Sequence, residues 1–312
     1  MTINNIHSEP DGGPNEVTVV RVTDAERRAG QAAMSKIRQA VLAMHRDGIV
    51  IVENAIEESH LDTLRRRMLG DVYELIAREA THYNFEDKDI GNVSQVPPFF
   101  PGYIFQDIVA NPIGAAIMSA VIGPRSEFRW FHGNTAVKST KRQVVHCDFG
   151  WDYYDFPTGI VTNIMLQDVA PANGSTEIWL GTHKLASLKQ HAKPPLRGMD
   201  PGAVEERRRV RPPVYPCMKK GSLILRDMRL WHAGMPNSTD TPRFMLGFLN
   251  FPSWYENSMK LLLPCSAQKE IEGMQTDFLI PGKYVPDDEY DHLAVPFDLE
   301  CAPIGEKTGR AK

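Results

Sequence analysis

The chain has 312 residues, 42% hydrophobic, 24% charged and 9% aromatic, with 35 basic against 39 acidic side chains and a net charge of −4. These averages exclude a collagen, a coiled coil, a disulfide-stapled miniprotein and a disordered chain, and they leave ample material for a core. Without a basic excess, a nucleic-acid partner is not expected. Cys147, Cys217, Cys265 and Cys301 form no C-x-x-C pair, which removes a zinc ribbon or redox dithiol and suits a reducing compartment. No basic and then apolar leader opens the sequence, and the longest apolar run, Ile113 to Ile122, is too short to span a bilayer. The expectation is a cytoplasmic protein without membrane contact.

Residues 1–16 read as a polar tail. Thr23-Asp24-Ala25-Glu26 is a capping box, in which Thr23 and Glu26 satisfy each other's backbone donors. Met34, Ile37, Val41 and Met44 follow at helical spacing, Gly48 ends that helix, and Ile49 to Val52 reads as a buried strand. A second helix carries Leu61, Leu64, Met68, Val72, Leu75 and Ile76. From Thr81 to Gly102 the chain is polar and Pro-rich, the pattern of a long irregular loop that covers a site. A helix over Pro112 to Val121 closes the helical part. Short β-type runs then follow: Phe128–Lys138, Gln143–His146, Ile160–Leu166, Thr176–Leu180, Ser222–Arg226 and Phe244–Phe251. Such a series without long helices between argues for a sandwich or barrel. Lys193 to Pro216 interrupts it and reads as a solvated insertion loop, the alternative being a basic lid.

His146-Cys147-Asp148 carries the chemistry. On a strand, residues two apart share a face, so His146 and Asp148 offer an imidazole and a carboxylate to one point. That is two thirds of the 2-His-1-carboxylate triad, which holds Fe(II) with open positions. His232, in Trp231-His232-Ala233-Gly234 after the strand Gly221 to Arg226, is the best third ligand. Arg243 opens the next strand. A guanidinium near such a metal makes sense for 2-oxoglutarate, whose keto-acid end chelates iron while its far carboxylate takes a bidentate arginine.

With Pro171-Ala172-Asn173-Gly174-Ser175-Thr176-Glu177, Leu180-Gly181-Thr182-His183 and Lys220-Gly221-Ser222-Leu223-Ile224-Leu225, these residues resemble the phytanoyl-CoA dioxygenase-like (PhyH) family of Fe(II)/2-oxoglutarate oxygenases, fungal natural-product members included. The resemblance spans roughly Gly48 to Pro252. It implies an α+β, mainly β protein with a double-stranded β-helix (jelly-roll, cupin-like) core. The expected layout is one domain over 17–302: a helical buttress at 23–126, the core at 127–252, an extension at 253–302, and a tail at 303–312. It also implies Fe(II), 2-oxoglutarate and O2 as cofactor and co-substrates, with His146, Asp148 and His232 as metal ligands and catalytic centre. Arg243 would bind 2-oxoglutarate, joined by Thr176, Gln143 and Asn134. Because Asp148 is present, a halogenase, which needs that position for chloride, is disfavoured.

Trp151, Tyr153 and Phe156, just after the dyad, and Phe99 in the long loop are the candidate substrate contacts. The expected partner is then a small organic molecule of secondary metabolism that undergoes hydroxylation, desaturation or oxidative cyclisation. Arg129 and Lys138 read as surface residues, His183 as a core histidine, and Asp227 as a partner of Arg229. The extension either wraps the core or builds a homodimer contact. Two other classes stay open. Two histidines and an aspartate also bind zinc for hydrolysis, which leaves Arg243 without a task, and a jelly roll can be a non-catalytic binding protein.

Overall fold

The computed structural model describes residues 14–79, 81–148, 150, 155–185, 187–193, 198–274, 278–296 and 301. In chain order the elements are β1 (Val19–Arg21), α1 (Asp24–Ala29), α2 (Met34–Asp47), β2 (Ile49–Glu53), α3 (Glu58–Ala77), β3 (Asn92–Gln95), α4 (Gln106–Val109), α5 (Pro112–Ile122), β4 (Glu127–Ala136), β5 (Ile160–Met165), β6 (Glu177–Ile178), α6 (Pro201–Val210), β7 (Leu223–Asp227), β8 (His232–Ala233), β9 (Met245–Phe251), β10 (Leu261–Pro264), α7 (Gln268–Gly273) and β11 (Gly282–Val285). The Thr23–Glu26 capping box starts α1. Gly48 ends α2 in the left-handed region at φ 78, where a Cβ would stand 2.6 Å from His183 Nδ1. A larger residue there is excluded both by conformation and by space.

Seven strands form the major sheet in the order β1-β2-β7-β5-β9-β4-β3, β1 pairing parallel to β2 and the other neighbours antiparallel. Registers across its centre align Leu225, Thr162, Phe248 and Phe131 on one face, and Arg226, Val161, Leu249 and Trp130 on the other. The first face is sealed by the helical part: Leu223, Leu225, Ile164, Phe248 and Phe131 share one apolar cluster with Met44 of α2, Leu61 and Met68 of α3, and Ile113 and Ile117 of α5. Its neighbouring strands β2 and β7 are buried throughout save Glu53, which explains their continuous apolar run.

The second face looks toward a smaller sheet. There β6 pairs antiparallel with β8 through Glu177↔Ala233 and Ile178↔His232. Isolated bridges His146↔His232 and Ile178↔Val214 extend it on both sides. Two sheets with an interior between them form the expected cupin-like jelly roll. Residues 261–292 of the extension lie on the helical side, since Leu261, Leu263, Ile271, Phe278 and Ile280 join the same cluster and His292 bonds buried Asp71 at 2.9 Å, whereas Tyr255, Met259 and Cys301 pack against the other face.

Three expectations are corrected. Thr81 to Gly102 is not one irregular loop, since Asn92–Gln95 within it forms β3 and pairs with β4 in the major sheet. Gln143–His146 is irregular chain that bridges the smaller sheet at His146, while Gln143 N–H bonds Gly234 O, just past β8, at 2.9 Å. The insertion is not only a solvated loop: Asp200 caps α6 at Ala203 N–H, and Arg207 is buried with Nη2 donating to Leu180 O at 2.6 Å. A run of charges therefore has one side facing inward. No helix among the described residues is long and apolar enough to cross a membrane.

Candidate metal centre

His146 and His232 meet as an antiparallel pair, His146 N–H donating to His232 O at 2.9 Å and His232 N–H to His146 O at 2.8 Å. Their imidazole centroids are 4.2 Å apart. Asp148, whose N–H bonds Met228 O at 2.9 Å, completes a group in which one ligand atom from each of His146, Asp148 and His232 lies within 4.8 Å of the others. Cys147 between them turns away into the apolar interior, 5% exposed. The predicted geometry is thus reached by a bridge between two segments rather than by one regular strand.

Each imidazole is aimed by its own backbone. His146 Nδ1 stands 2.9 Å from Val144 O and His232 Nδ1 3.0 Å from Leu230 O. Carbonyls only accept, so Nδ1 carries the proton and Nε2 keeps the lone pair a metal needs. Burial, Arg226 and His146 hold His232 well below the ordinary histidine value, which keeps it neutral. Burial pushes the Asp148 carboxyl up, but Arg226, His232 and His146 outweigh it and leave it below the usual range. A neutral His232, an ionised Asp148 and the imidazole of His146 are a donor set for Fe(II).

Arg243 begins the approach to β9 and is 1% exposed. Its Nη1 donates to Asn134 O and Nη2 to Gly174 O, both at 3.2 Å. Its Nε is buried without a partner, and among the described residues no carboxylate pairs with it. Burial lowers its pKa to about 10, so it remains a cation near neutrality. A buried cation without an acid is costly, and a ligand carboxylate would supply the missing charge. Gly174 leads through Ser175 and Thr176 to Glu177, which pairs with Ala233 beside His232, so the cation and the ligand group are carried by adjoining strands.

The other predicted residues divide. Asn134 Oδ1 is buried without a partner, open to a ligand donor. Thr176 is half-buried. Gln143 spends its side-chain oxygen on Gly234 N–H at 2.7 Å, and a Cβ on Gly234 would come within 2.7 Å of that oxygen. Gln143 therefore fixes the turn after His232. Phe99 is 2% exposed in the helical-side core, its ring 4.7 Å from Phe131, which is packing rather than the substrate contact expected of it. Phe156 is exposed and meets Trp254 edge-on at 5.7 Å. Trp151 and Tyr153 lie outside the described residues. Arg129 pairs with Glu127, Lys138 with Asp240, and Arg229 with Asp227. His183 is buried with Nε2 3.2 Å from His45 O, as a core histidine.

Two residues escaped the sequence reading. Arg226 Nη2 donates to Asp148 Oδ2 at 2.7 Å. Phe85 meets His146 edge-on with ring centroids 4.9 Å apart, on a backbone at φ 60 followed by Glu86 at φ 54. Left-handed non-glycine residues are uncommon and cluster at functional sites. Neither has a local motif, since one depends on strand register and the other on a rare turn.

A cupin-like fold around a His-Asp-His group defines the class of non-haem iron oxygenases. The chain belongs to the phytanoyl-CoA dioxygenase (PhyH) family, whose family model matches residues 44–245, and is a 2-oxoglutarate-dependent dioxygenase using Fe(II) and O2. Solved structures agree in fold. EctD from S. alaskensis, solved with 2-oxoglutarate and 5-hydroxyectoine, is 18% identical at a TM-score of 0.54, over 69% of this chain and 75% of that one. The non-heme α-ketoglutarate-dependent epimerase SnoN from nogalamycin biosynthesis is 17% identical at 0.52, over 71% and 82%. The carbocyclase SnoK of the same biosynthesis is 16% identical at 0.53, over 69% and 84%.

Proposed function

We propose that residues 17–302 form one catalytic unit that oxidises a small organic molecule of secondary metabolism, with His146, Asp148 and His232 as the ferrous ligands and Arg243 as the anchor of 2-oxoglutarate. The observation that carries this reading is the pairing of a three-ligand group with a buried arginine that no described carboxylate neutralises. The link to secondary metabolism draws on SnoN and SnoK, both from nogalamycin biosynthesis.

Bound ferrous iron with 2-oxoglutarate and O2 supplies an oxidant while the co-substrate becomes succinate and CO2. The chain's own residues do the rest. His146 and His232 present Nε2 because Val144 and Leu230 hold their Nδ1 protons. Arg243 meets a carboxylate with a fork of donors that no lysine reproduces, and Asn134 Oδ1 can accept a donor beside it. Thr176 is the further wall residue. Gln143 steadies the turn that follows His232. Phe85 packs edge-on against His146 and limits the movement of its ring.

The test is succinate release from 2-oxoglutarate by the purified protein with ferrous iron and O2. His146→Ala, Asp148→Ala and His232→Ala should each lower it by about a hundredfold or more, given that even outer partners of ligands are worth 10- to 100-fold. An active Asp148→Ala enzyme would sink the ligand assignment. Turnover that persists under strict anaerobiosis would favour zinc hydrolysis instead, and iron-free protein with no 2-oxoglutarate affinity would favour a binding module.

A further inference from the structure

Arg226 is 5% exposed on β7, opposite Ile49 of β2 and Val161 of β5, on the sheet face that looks toward the smaller sheet. A buried guanidinium must find an anion, and here it finds the carboxylate of the ligand group itself. The two oxygens of Asp148 are divided between neighbours: Oδ2 takes Arg226 Nη2 at 2.7 Å, while Oδ1 lies on the side of His232 Nε2 at 3.8 Å. The other Arg226 nitrogen, Nη1, stands 3.2 Å from His232 Nδ1, but that atom already gives its proton to Leu230 O, so the hydrogen bond of Arg226 in the ligand group is the one to Asp148.

We propose that Arg226 is a positioning residue that restricts Asp148 to a single coordinating oxygen, Oδ1, and thereby keeps a metal position open for O2. The inference rests on His146, Asp148 and His232 being the metal ligands. Its consequence is a matter of counting on a six-coordinate ion. Two imidazoles, one carboxylate oxygen and the two donors of 2-oxoglutarate leave one position. A chelating Asp148 would leave none. Arginine is suited to this task because it stays protonated and its planar fork has little freedom once docked. An arginine that merely stabilised the fold would leave that count unchanged.

Nitric oxide, which occupies the position O2 would take, tests this by electron paramagnetic resonance of the ferrous protein under anaerobic conditions. In the wild type the ferrous–nitrosyl resonance should persist when 2-oxoglutarate is bound. In Arg226→Met it should fall by about tenfold with 2-oxoglutarate, on the scale seen for outer-sphere partners, yet remain without it. Arg226→Lys, which keeps one donor at similar reach, should recover most of the resonance. An undiminished resonance in Arg226→Met with 2-oxoglutarate bound overturns the role of Arg226 alone. A wild-type protein that shows no visible charge-transfer band with ferrous iron and 2-oxoglutarate overturns the metal site and that role together. Should Arg226→Met fail to fold, the wild type provides the second measurement. Its crystal structure with Mn(II) and 2-oxoglutarate should have Asp148 bound through one oxygen and the other bonded to Arg226. A bidentate Asp148 refutes the proposal.

Discussion

At the scale of single residues the site is governed by what each polar atom has left to offer. Arg243 uses Nη1 and Nη2 on backbone carbonyls at 3.2 Å, the long end of hydrogen bonding, and leaves Nε unpaired. The charge thus remains available to a carboxylate that completes the pocket. Arg243→Gln should raise the 2-oxoglutarate KM by about 10- to 100-fold, the equivalent of losing charged hydrogen bonds worth about 1.5–3 kcal/mol. Arg243→Lys should recover only part, because an ammonium cannot bind bidentately. A titration of succinate release against 2-oxoglutarate measures both. Phe99 stands at the opposite pole, with no polar atom to offer and a ring enclosed by the core. Phe99→Ala should cost about 3–5 kcal/mol of stability while leaving the ferrous–oxoglutarate charge-transfer band intact. Thermal melting and absorption spectra together test it, and a lost band in a folded variant would restore Phe99 to the site.

Among the elements, β6 and β8 are only two residues long each, yet His232 depends on their registry. Glu177 holds β6 in place. It is fully buried and accepts from Arg142 at 2.6 and 2.9 Å, from Tyr215 at 2.6 Å and from Trp179 Nε1 at 2.9 Å. Burial pushes its carboxyl up, and the bonds from Arg142, Tyr215 and Trp179 more than offset that, so its pKa is lowered. A lowered carboxyl stabilises the fold fully above the ordinary value of 4.5 and progressively less as pH falls through its folded value. Glu177→Gln should therefore lose about 2 kcal/mol at neutral pH, and the gap to wild type should narrow below pH 4.5. Melting curves from pH 7 down to about 3 read this directly. A gap that does not depend on pH would assign Glu177 a packing role alone.

The whole molecule places the candidate ligands on segments far apart in sequence, so a metal bound by them would couple to folding. His146 and Asp148 come from the irregular chain before β5, His232 from β8 and Arg243 from the approach to β9. A ligand held only by the folded state stabilises it by about 2.7 kcal/mol at a hundredfold excess over its Kd. Ferrous iron with 2-oxoglutarate should accordingly raise the melting temperature by about 5 °C or more, and a chelator should reverse the rise. A melting point indifferent to both would contradict a preformed site. The helical face has the complementary task. Met44, Leu61, Met68, Ile113 and Ile117 cover one side of the major sheet, so that its other side can carry Arg226 and Trp130 toward the site.

Much of this was legible in the residues. The capping box at Thr23, the apolar spacing of α2 and α3, the β texture after Glu127 and the His146, Asp148, His232 and Arg243 quartet are local or motif-borne, because hydrogen-bond satisfaction and periodicity act over a few positions. The amphipathic cap of α6 was missed, since Asp200 and buried Arg207 look like any charged loop until the fold supplies Leu180 O as an acceptor. What the sequence by itself determined was the candidate donor set and the helices-then-strands order. Only the tertiary structure decided that Arg226 takes one oxygen of Asp148, that Gln143 serves the Gly234 turn, and that Phe85 rather than Phe99 lies against His146. Those choices depend on strand register and on rare backbone angles. Both are set by long-range packing, and no local run of residues encodes them.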